Sequence, residues 1–418
     1  MNQKLLLLTY NTPSAENIRG ASALPFHLLV ERDANIEVEV LSFNANGISN
    51  AEIEKIGQQL HAKIHCLQLP SWYKWMFKLH LLFLRVFLRL PYLCYIRLSK
   101  EWKCWVNEYS PDVIWVYGEE LLGIVKQFPK SRRLHLGPDT ESLYYYRMMG
   151  QRFVLKSTMH FWKCALMYRK YARMEREFPS DENYTYLAVG EEDVCHLRHL
   201  NPKVRTRFLI HPHYEVKDNV NPNPNDNVKK FHRPKMKLLI AGRYDLYMQQ
   251  EADLLMERLV ANANLNGNPN SNGNRNDDFL RSHYSITFLG KGWEKHVKAL
   301  HDAGWGVNHI TFAPDYIEEI CKHDIQITPI TIGTGTKGKV LDALANGLLV
   351  IGTPYAMENI AVEHGVSCIE YKYPQEVIDI LHDILISREK YETMAQAGQK
   401  SVLKFHDRCL LSKELFSF

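Results

Sequence analysis

Short apolar or alternating runs of strand length recur along the first half of the chain. They are Lys4–Tyr10 (KLLLLTY), Ile36–Phe43 (IEVEVLSF), Lys63–Leu69, Pro111–Tyr117, Arg133–Leu136, Tyr184–Val189 and Arg207–Tyr214. Segments of helical spacing, such as Phe161–Phe178 and the acid-led Gly190–Leu200, separate some of them. Strand alternating with helix predicts a parallel α/β sheet. The pattern restarts later, with strands predicted at Met236–Ala241, His283–Leu289, Asn308–Phe312, Asp324–Ile330 and Leu348–Ile351. Helices at Pro374–Ser387 and Glu389–Phe405 close it, and Pro374 suits a first helical position.

Between the two patterns lies EVKDNVNPNPNDNVKKFHRPK, whose Asn, Pro and Asp content marks a linker. A chain of 418 residues also exceeds one typical core. The predicted organisation is a first domain over 1–215, a linker over 216–235, a second domain over 236–405 and a tail over 406–418. A second polar insert over 261–278 reads as a surface loop.

One segment breaks the rhythm. SWYKWMFKLHLLFLRVFLRLPYLCYIRLSKEWK over 71–103 is aromatic, leucine-rich and basic, with no acid from 71 to 100. Projected as a helix up to Pro91, it places Lys74, Lys78, Arg85 and Arg89 within an arc of roughly 60°. The predicted basic amphipathic helix over 72–103 suits an anionic membrane surface, lying in the interface. The alternative is a core helix whose one wet face is basic. No run is long and apolar enough to suggest a spanning helix, and the N-terminal apolar run fits a first strand better than a signal peptide.

The most informative stretch runs from Asp324 to Ile360: strand, TIGTGTKGK, helix, strand. Gly333, Gly335 and Gly338 permit a close backbone approach, and a helix start above a parallel sheet presents N–H groups to an anion. Lys337 and Lys339 oppose the helix dipole there, a conflict that a bound diphosphate removes; the alternative is a solvated loop. In the first half, the loop with Gly20 and the loop GPDTESL hold the other candidates. His135, Asp139 and Glu141 follow a predicted strand end, where ligands sit in open α/β sheets, although Asp139-Thr140 also reads as a helix cap. His211 and His213 read as loop contacts, since no third metal ligand accompanies them.

The net charge of +4 does not argue for nucleic acid. Eight cysteines, none in a Cys-x-x-Cys pair, read as reduced thiols of a cytosolic protein.

The second half resembles the nucleotide-sugar domain of GT-B glycosyltransferases, most of all the retaining family four of bacterial surface-polysaccharide assembly. The resemblance rests on Gly242-Arg243, Gly290-Lys-Gly292, Asp315-Tyr316, His323-Asp324, GTGTKGKVLDALANGLLVIGT and Ala356-Met-Glu358. It covers residues 236–405; the first half matches in layout and around Asp139. It implies two Rossmann-like domains facing across a cleft. It also implies transfer of a sugar from a nucleotide-diphosphate donor to a glycan or polyprenyl-linked acceptor, with retention, without metal or cofactor, on the cytoplasmic face of the membrane. Arg243 and Lys339 would neutralise the leaving diphosphate, and His135 or Asp139 would face the acceptor and anomeric carbon. Asp342 would hold the ribose, and Ala313 and Pro314 would flank the base. Gly20, Gly242, Gly290, Gly335, Thr336, Lys337, Gly338, Val340 and Glu358 complete the implied substrate-binding residues. Two departures stand out. The family's first sugar-site acid falls on Thr334, and its diphosphate lysine falls on Met248, leaving Lys339 to supply that charge.

Two other readings compete. GTGTKG is a G-x-G-x-x-G sequence with Glu358 20 residues beyond Gly338, as in NAD(P)-dependent oxidoreductases. A non-catalytic, membrane-associated scaffold of the same fold would tolerate Thr334.

Overall fold

A computed structural model describes residues 3–15, 22–151, 158–217, 230–264 and 277–417. Gly20 and most of the two polar inserts lie outside the described residues.

The chain divides into two compact units, one of residues 1–212 with 408–418 and the other of 213–407. The first is built on a seven-stranded sheet. Its strands are β1 (Gln3–Thr9), β2 (Ile36–Ser42), β3 (Ala62–Cys66), β4 (Val113–Tyr117), β5 (Arg133–Gly137), β6 (Tyr184–Ala188) and β7 (Thr206–Phe208). They lie in the order β3-β2-β1-β4-β5-β6-β7 and every pair is parallel. Leu5 to Leu8 of β1 have no exposure. A run apolar on both faces is what a central strand covered by helices on each side requires.

The second unit repeats the plan. Strands β8 (Met236–Ala241), β9 (Tyr284–Leu289), β10 (Gly306–Ile310), β11 (Ile325–Thr328), β12 (Leu349–Gly352) and β13 (Ile369–Glu370) form a parallel sheet ordered β10-β9-β8-β11-β12-β13. Both orders are the doubly wound arrangement, which reverses direction beside the first strand. The two-residue β13 carried no sequence signal of its own.

The second sheet is fastened by an acid that looks catalytic by type and is structural by position. Asp324, just before β11, is fully buried. It accepts the N–H groups of Phe231 (3.1 Å) and Lys237 (2.8 Å) and pairs with Arg233 at 3.4 Å. It thereby joins the chain leading into β8 to the neighbouring strand. Described residues of the predicted linker and most of the predicted tail pack onto the two units. Lys217 N–H donates to Asn346. Arg408–Phe416 is a helix of the first unit that places Phe416 edge-on to the buried Trp115.

The segment predicted as one amphipathic helix is instead broken. It runs as a helix over Ser71–Lys78, 3-10 turns over Leu81–Phe87 and Tyr92–Tyr95, and a second helix over Lys100–Tyr109. His80 takes φ 55 at the first break and Pro91 precedes the second turn. Tyr73, Cys94, Ile96 and Leu98 all enter the first unit's core. A straight helix cannot send these residues inward together, so tertiary burial overrides the local spacing.

Candidate functional site

The direction of the second sheet reverses between β8 and β11, and the candidate residues collect at the C-terminal ends of those strands. Gly242 follows β8 and Gly290 follows β9, with φ of 134° and 145°. A Cβ on Gly290 would lie 2.3 Å from the Gly242 carbonyl oxygen, so both values and spacing demand glycine. The Gly242 N–H donates to Leu289 and its carbonyl accepts from Trp293 Nε1 at 2.8 Å, which fixes this turn rigidly.

Lys339 reaches the same point from the other side of the reversal. It stands in the first turn of the Gly338–Ala345 helix, and its ammonium lies 3.6 Å from where a Gly242 Cβ would be. Met248 is buried and its sulfur approaches that spot to 3.1 Å. Lys339 is exposed overall, yet its ammonium is partly shielded, and this desolvation lowers its pKa, with Asp245 and Asp342 acting in the opposite sense. Arg243 is exposed beside it. Burial raises Asp342 to about 7, against the pull of Lys339.

The other loop lysine behaves differently. Lys337 Nζ turns back to the carbonyls of Thr334 (3.1 Å) and Gly335 (3.0 Å) and lies 3.9 Å from Glu358. Asn359 donates to Gly335 as well. The sequence suggested two mobile cations; the structure gives one cation at the strand ends and one brace inside the loop. Gly335 takes φ 61, and Gly338 has open space around its Cβ position. Thr334 is buried and Thr336 half-buried. Val340 buries its side chain in the core and its N–H already donates to the Lys337 carbonyl at 2.9 Å, so neither is presented to a ligand.

Ala313 and the exposed Pro314 form the turn after β10, ahead of Asp315, which caps the next helix. In that helix Tyr316 keeps a buried hydroxyl with no hydrogen-bond partner among the described residues; burial and the nearby Asp342 raise its pKa. Tyr214 responds to Asp342 in the same way. The sequence marked Tyr316 only through Asp315-Tyr316 and gave Tyr214 no role; the relation of both to Asp342 arises only on folding.

In the first unit the two paired candidates separate. Asp139 is exposed in the turn after β5. His135 is fully buried in β5. Its Nε2 faces the Gly118 carbonyl at 2.9 Å, so that nitrogen donates, and Nδ1 accepts from Tyr184 Oη at 2.8 Å. Burial lowers its pKa to about 4. With both nitrogens engaged, this neutral imidazole is a pin between strands and does not reach a substrate.

Thr140 does cap the helix Glu141–Met149 by position, but its side chain makes no cap bond. Three carboxyls from elsewhere take the free N–H groups. Asp193 accepts from Thr140 (2.7 Å), Glu119 from Glu141 (3.3 Å) and Glu175 from Ser142 (3.1 Å). Ser142 Oγ also donates to Glu175 and meets His196 Nε2 at 2.7 Å. Burial and mutual repulsion push Glu119 well above the carboxylate range. Glu175 rises to about 7 and Glu141 to about 8, each chiefly through burial. Among the described residues Glu119 Oε1 faces no donor, which suits a carboxyl that burial and its neighbours hold protonated. The cluster fixes the turn that carries Asp139.

The G-x-G-x-x-G reading fares poorly here. The motif follows β11, not the first strand of the sheet. Its acid, Glu358, lies beyond a short helix after β12 and against Lys337. In dinucleotide folds the acid ends the next strand.

Comparison with known proteins agrees with this geometry. Residues 276–408 match the family described as Glycosyl transferase-like. The whole chain superposes on Anabaena HepE in complex with UDP, with TM-score 0.63, 13% identity and coverage of 99% of this chain and 98% of that one. Sucrose-phosphate synthase from Thermosynechococcus elongatus gives TM-score 0.64 at 12% identity, covering 99% and 97%. WaaG, a glycosyltransferase involved in lipopolysaccharide biosynthesis, gives 0.56 at 13%, covering 99% and 98%. A search of curated proteins gives no match. The fold is therefore that of GT-B glycosyltransferases, two Rossmann-like units each built on a parallel sheet.

Proposed function

We propose that the chain is a glycosyltransferase that takes a sugar from a nucleotide-diphosphate donor bound at the β8/β11 reversal of the second unit. One observation carries the reading: the Lys339 ammonium stands over Gly242, where two glycine turns let a ligand approach the backbone. A parallel sheet binds ligands at such a reversal. A cation there, beside a helix start, opposes the charge that develops on a departing diphosphate. The position that relatives fill with a second cation holds Met248, and Lys339 converges on the same spot.

Arg243 would hold the outer diphosphate oxygens, assisted by loop N–H groups near Gly335, Thr336 and Gly338. Asp342 would accept from the ribose, with Tyr316 and the Ala313-Pro314 turn near the base. Lys337 and Glu358 would keep the loop in shape. HepE is known with UDP and with UDP-glucose, which favours a nucleoside diphosphate as the recognised part. Retention, a lipid-linked glycan acceptor, a role in surface polysaccharide and a peripheral site at the cytoplasmic membrane face extend the same reading. The WaaG likeness and the basic 71–89 segment favour these extensions. The chemistry calls on the chain's own side chains and needs no added cofactor.

The test is turnover of nucleotide-sugar donors by the purified chain, with Lys339→Ala and Lys339→Arg beside it. Loss of a group that stabilises developing charge costs about a hundredfold or more in kcat. We expect that loss for the alanine variant and partial recovery for arginine. Absence of turnover and of nucleoside-diphosphate binding by the wild type overturns the proposal and favours a scaffold.

A further inference from the structure

Exposed large apolar side chains concentrate on two segments of the first unit. One is the broken segment already discussed, where Trp75 is 55%, Leu79 53%, Val86 50% and Phe87 82% exposed. The other is the start of the Thr158–Arg176 helix, where Met159 is 74%, Trp162 66% and Leu166 36% exposed. These last three stand at spacings of three and four residues, so they form one stripe about 60° wide.

The same helix buries its other end. Cys164, Tyr171, Ala172 and Met174 face the core. Lys170 Nζ donates to the Arg85 carbonyl, and Arg89 pairs with Glu177 at 2.9 Å. The 81–89 turn and this helix are thus held to each other. The stripe projects about 16 Å along the helix from the Lys170 contact, at ~1.5 Å per residue.

Within both segments the charge has one sign. No acid occurs over 71–100 or over 158–174. Lys74, Lys78, Arg85, Lys163 and Arg169 are exposed among the apolar groups. A self-complementary contact with a second copy would set these cations against their own kind, which opposes association. A bilayer with anionic headgroups satisfies both halves of the pattern, since tryptophan and leucine enter the acyl boundary while lysine and arginine stay at the phosphates.

We propose that the start of the Thr158–Arg176 helix is a second membrane-surface element, seating Met159, Trp162 and Leu166 in the interface of an anionic bilayer together with the 71–89 segment. It rests on the proposed peripheral location, and makes it bidentate, but not on the transfer chemistry.

The test is flotation of the full chain with phosphatidylcholine vesicles, with and without phosphatidylglycerol. The wild type is compared with Met159→Glu/Trp162→Glu and with the milder Trp162→Ala, each checked by thermal melting. We expect binding only with phosphatidylglycerol, and a loss of about tenfold or more in partitioning for the double variant, since two interfacial anchors go. A smaller loss is expected for Trp162→Ala. Donor hydrolysis in solution should be unchanged in both. Equal partitioning of the double variant and wild type overturns the proposal. So does dimerisation that the double variant abolishes while vesicle binding persists. If no protein hydrolyses any donor yet the partitioning differs as stated, the transferase reading fails and this one stands.

Discussion

Lys337 and Lys339 are two residues apart and chemically identical, yet folding gives them opposite work. Lys337 is spent on the carbonyls of Thr334 and Gly335, while Lys339 faces the turn at Gly242. Sequence spacing supplied the glycine loop and its cations, but which lysine points where depends on the backbone path between Gly333 and Gly338. Replacement of Lys337 by alanine should therefore act mainly through loop order, raising KM for donor more than it lowers kcat. Lys339→Ala should do the reverse, and steady-state kinetics separate the two. Gly290→Ala makes a sharper forecast. Its Cβ would sit 2.3 Å from a backbone oxygen at φ 145. Neither can relax cheaply, so we expect at least 3 kcal/mol of destabilisation, read by denaturant melting of the second unit. His135 shows the opposite failure of legibility. Residue type and a strand-end position suggested chemistry, whereas full burial and two internal partners make it architecture.

At the scale of elements, the central strands β1, β4, β8 and β11 are legible in sequence because their apolar runs are buried on both faces. The segment over 71–103 is not, because its apolar residues serve several directions at once. The helix Glu141–Met149 was foreseen with a local cap, yet its start is held by Asp193, Glu119 and Glu175 from distant parts of the chain. Contacts of that range leave no mark in local sequence. They carry a pH signature. Glu175 has its pKa raised from the ordinary 4.5 to about 7 in the folded unit. A raised folded value means that the folded state binds the proton more tightly. Its contribution is complete below the unfolded value and is lost as pH rises through about 7. The first unit should therefore melt at progressively lower temperature across that window. Glu175→Gln, which stays neutral and can still accept from Ser142, should flatten the dependence. Calorimetry of both proteins over pH decides it.

For the whole molecule, the linker and the restarted pattern revealed two units, but not that the first is discontinuous. The Arg408–Phe416 helix buries Leu411, Leu415 and Phe416 in the first unit. Ser412 donates to the Leu28 carbonyl at 2.7 Å, and Arg408 pairs with Glu31 at 2.8 Å. A tail of ordinary composition does not announce where it docks. Deleting residues 408–418 removes three buried apolar side chains, each contributing about 1.5–3 kcal/mol. The deletion should lower the melting transition of the first unit and leave the second in place, as two resolved calorimetric transitions would show. The same return of the chain orders events during synthesis. Domains fold as they leave the ribosome, N-terminal portions first, but here the N-terminal unit lacks a wall until the Arg408–Phe416 helix emerges. The second unit is complete in sequence earlier and can fold while the first still waits with Trp115 uncovered. A nascent chain stopped before Arg408 would then display that apolar face, and such exposed surface invites aggregation.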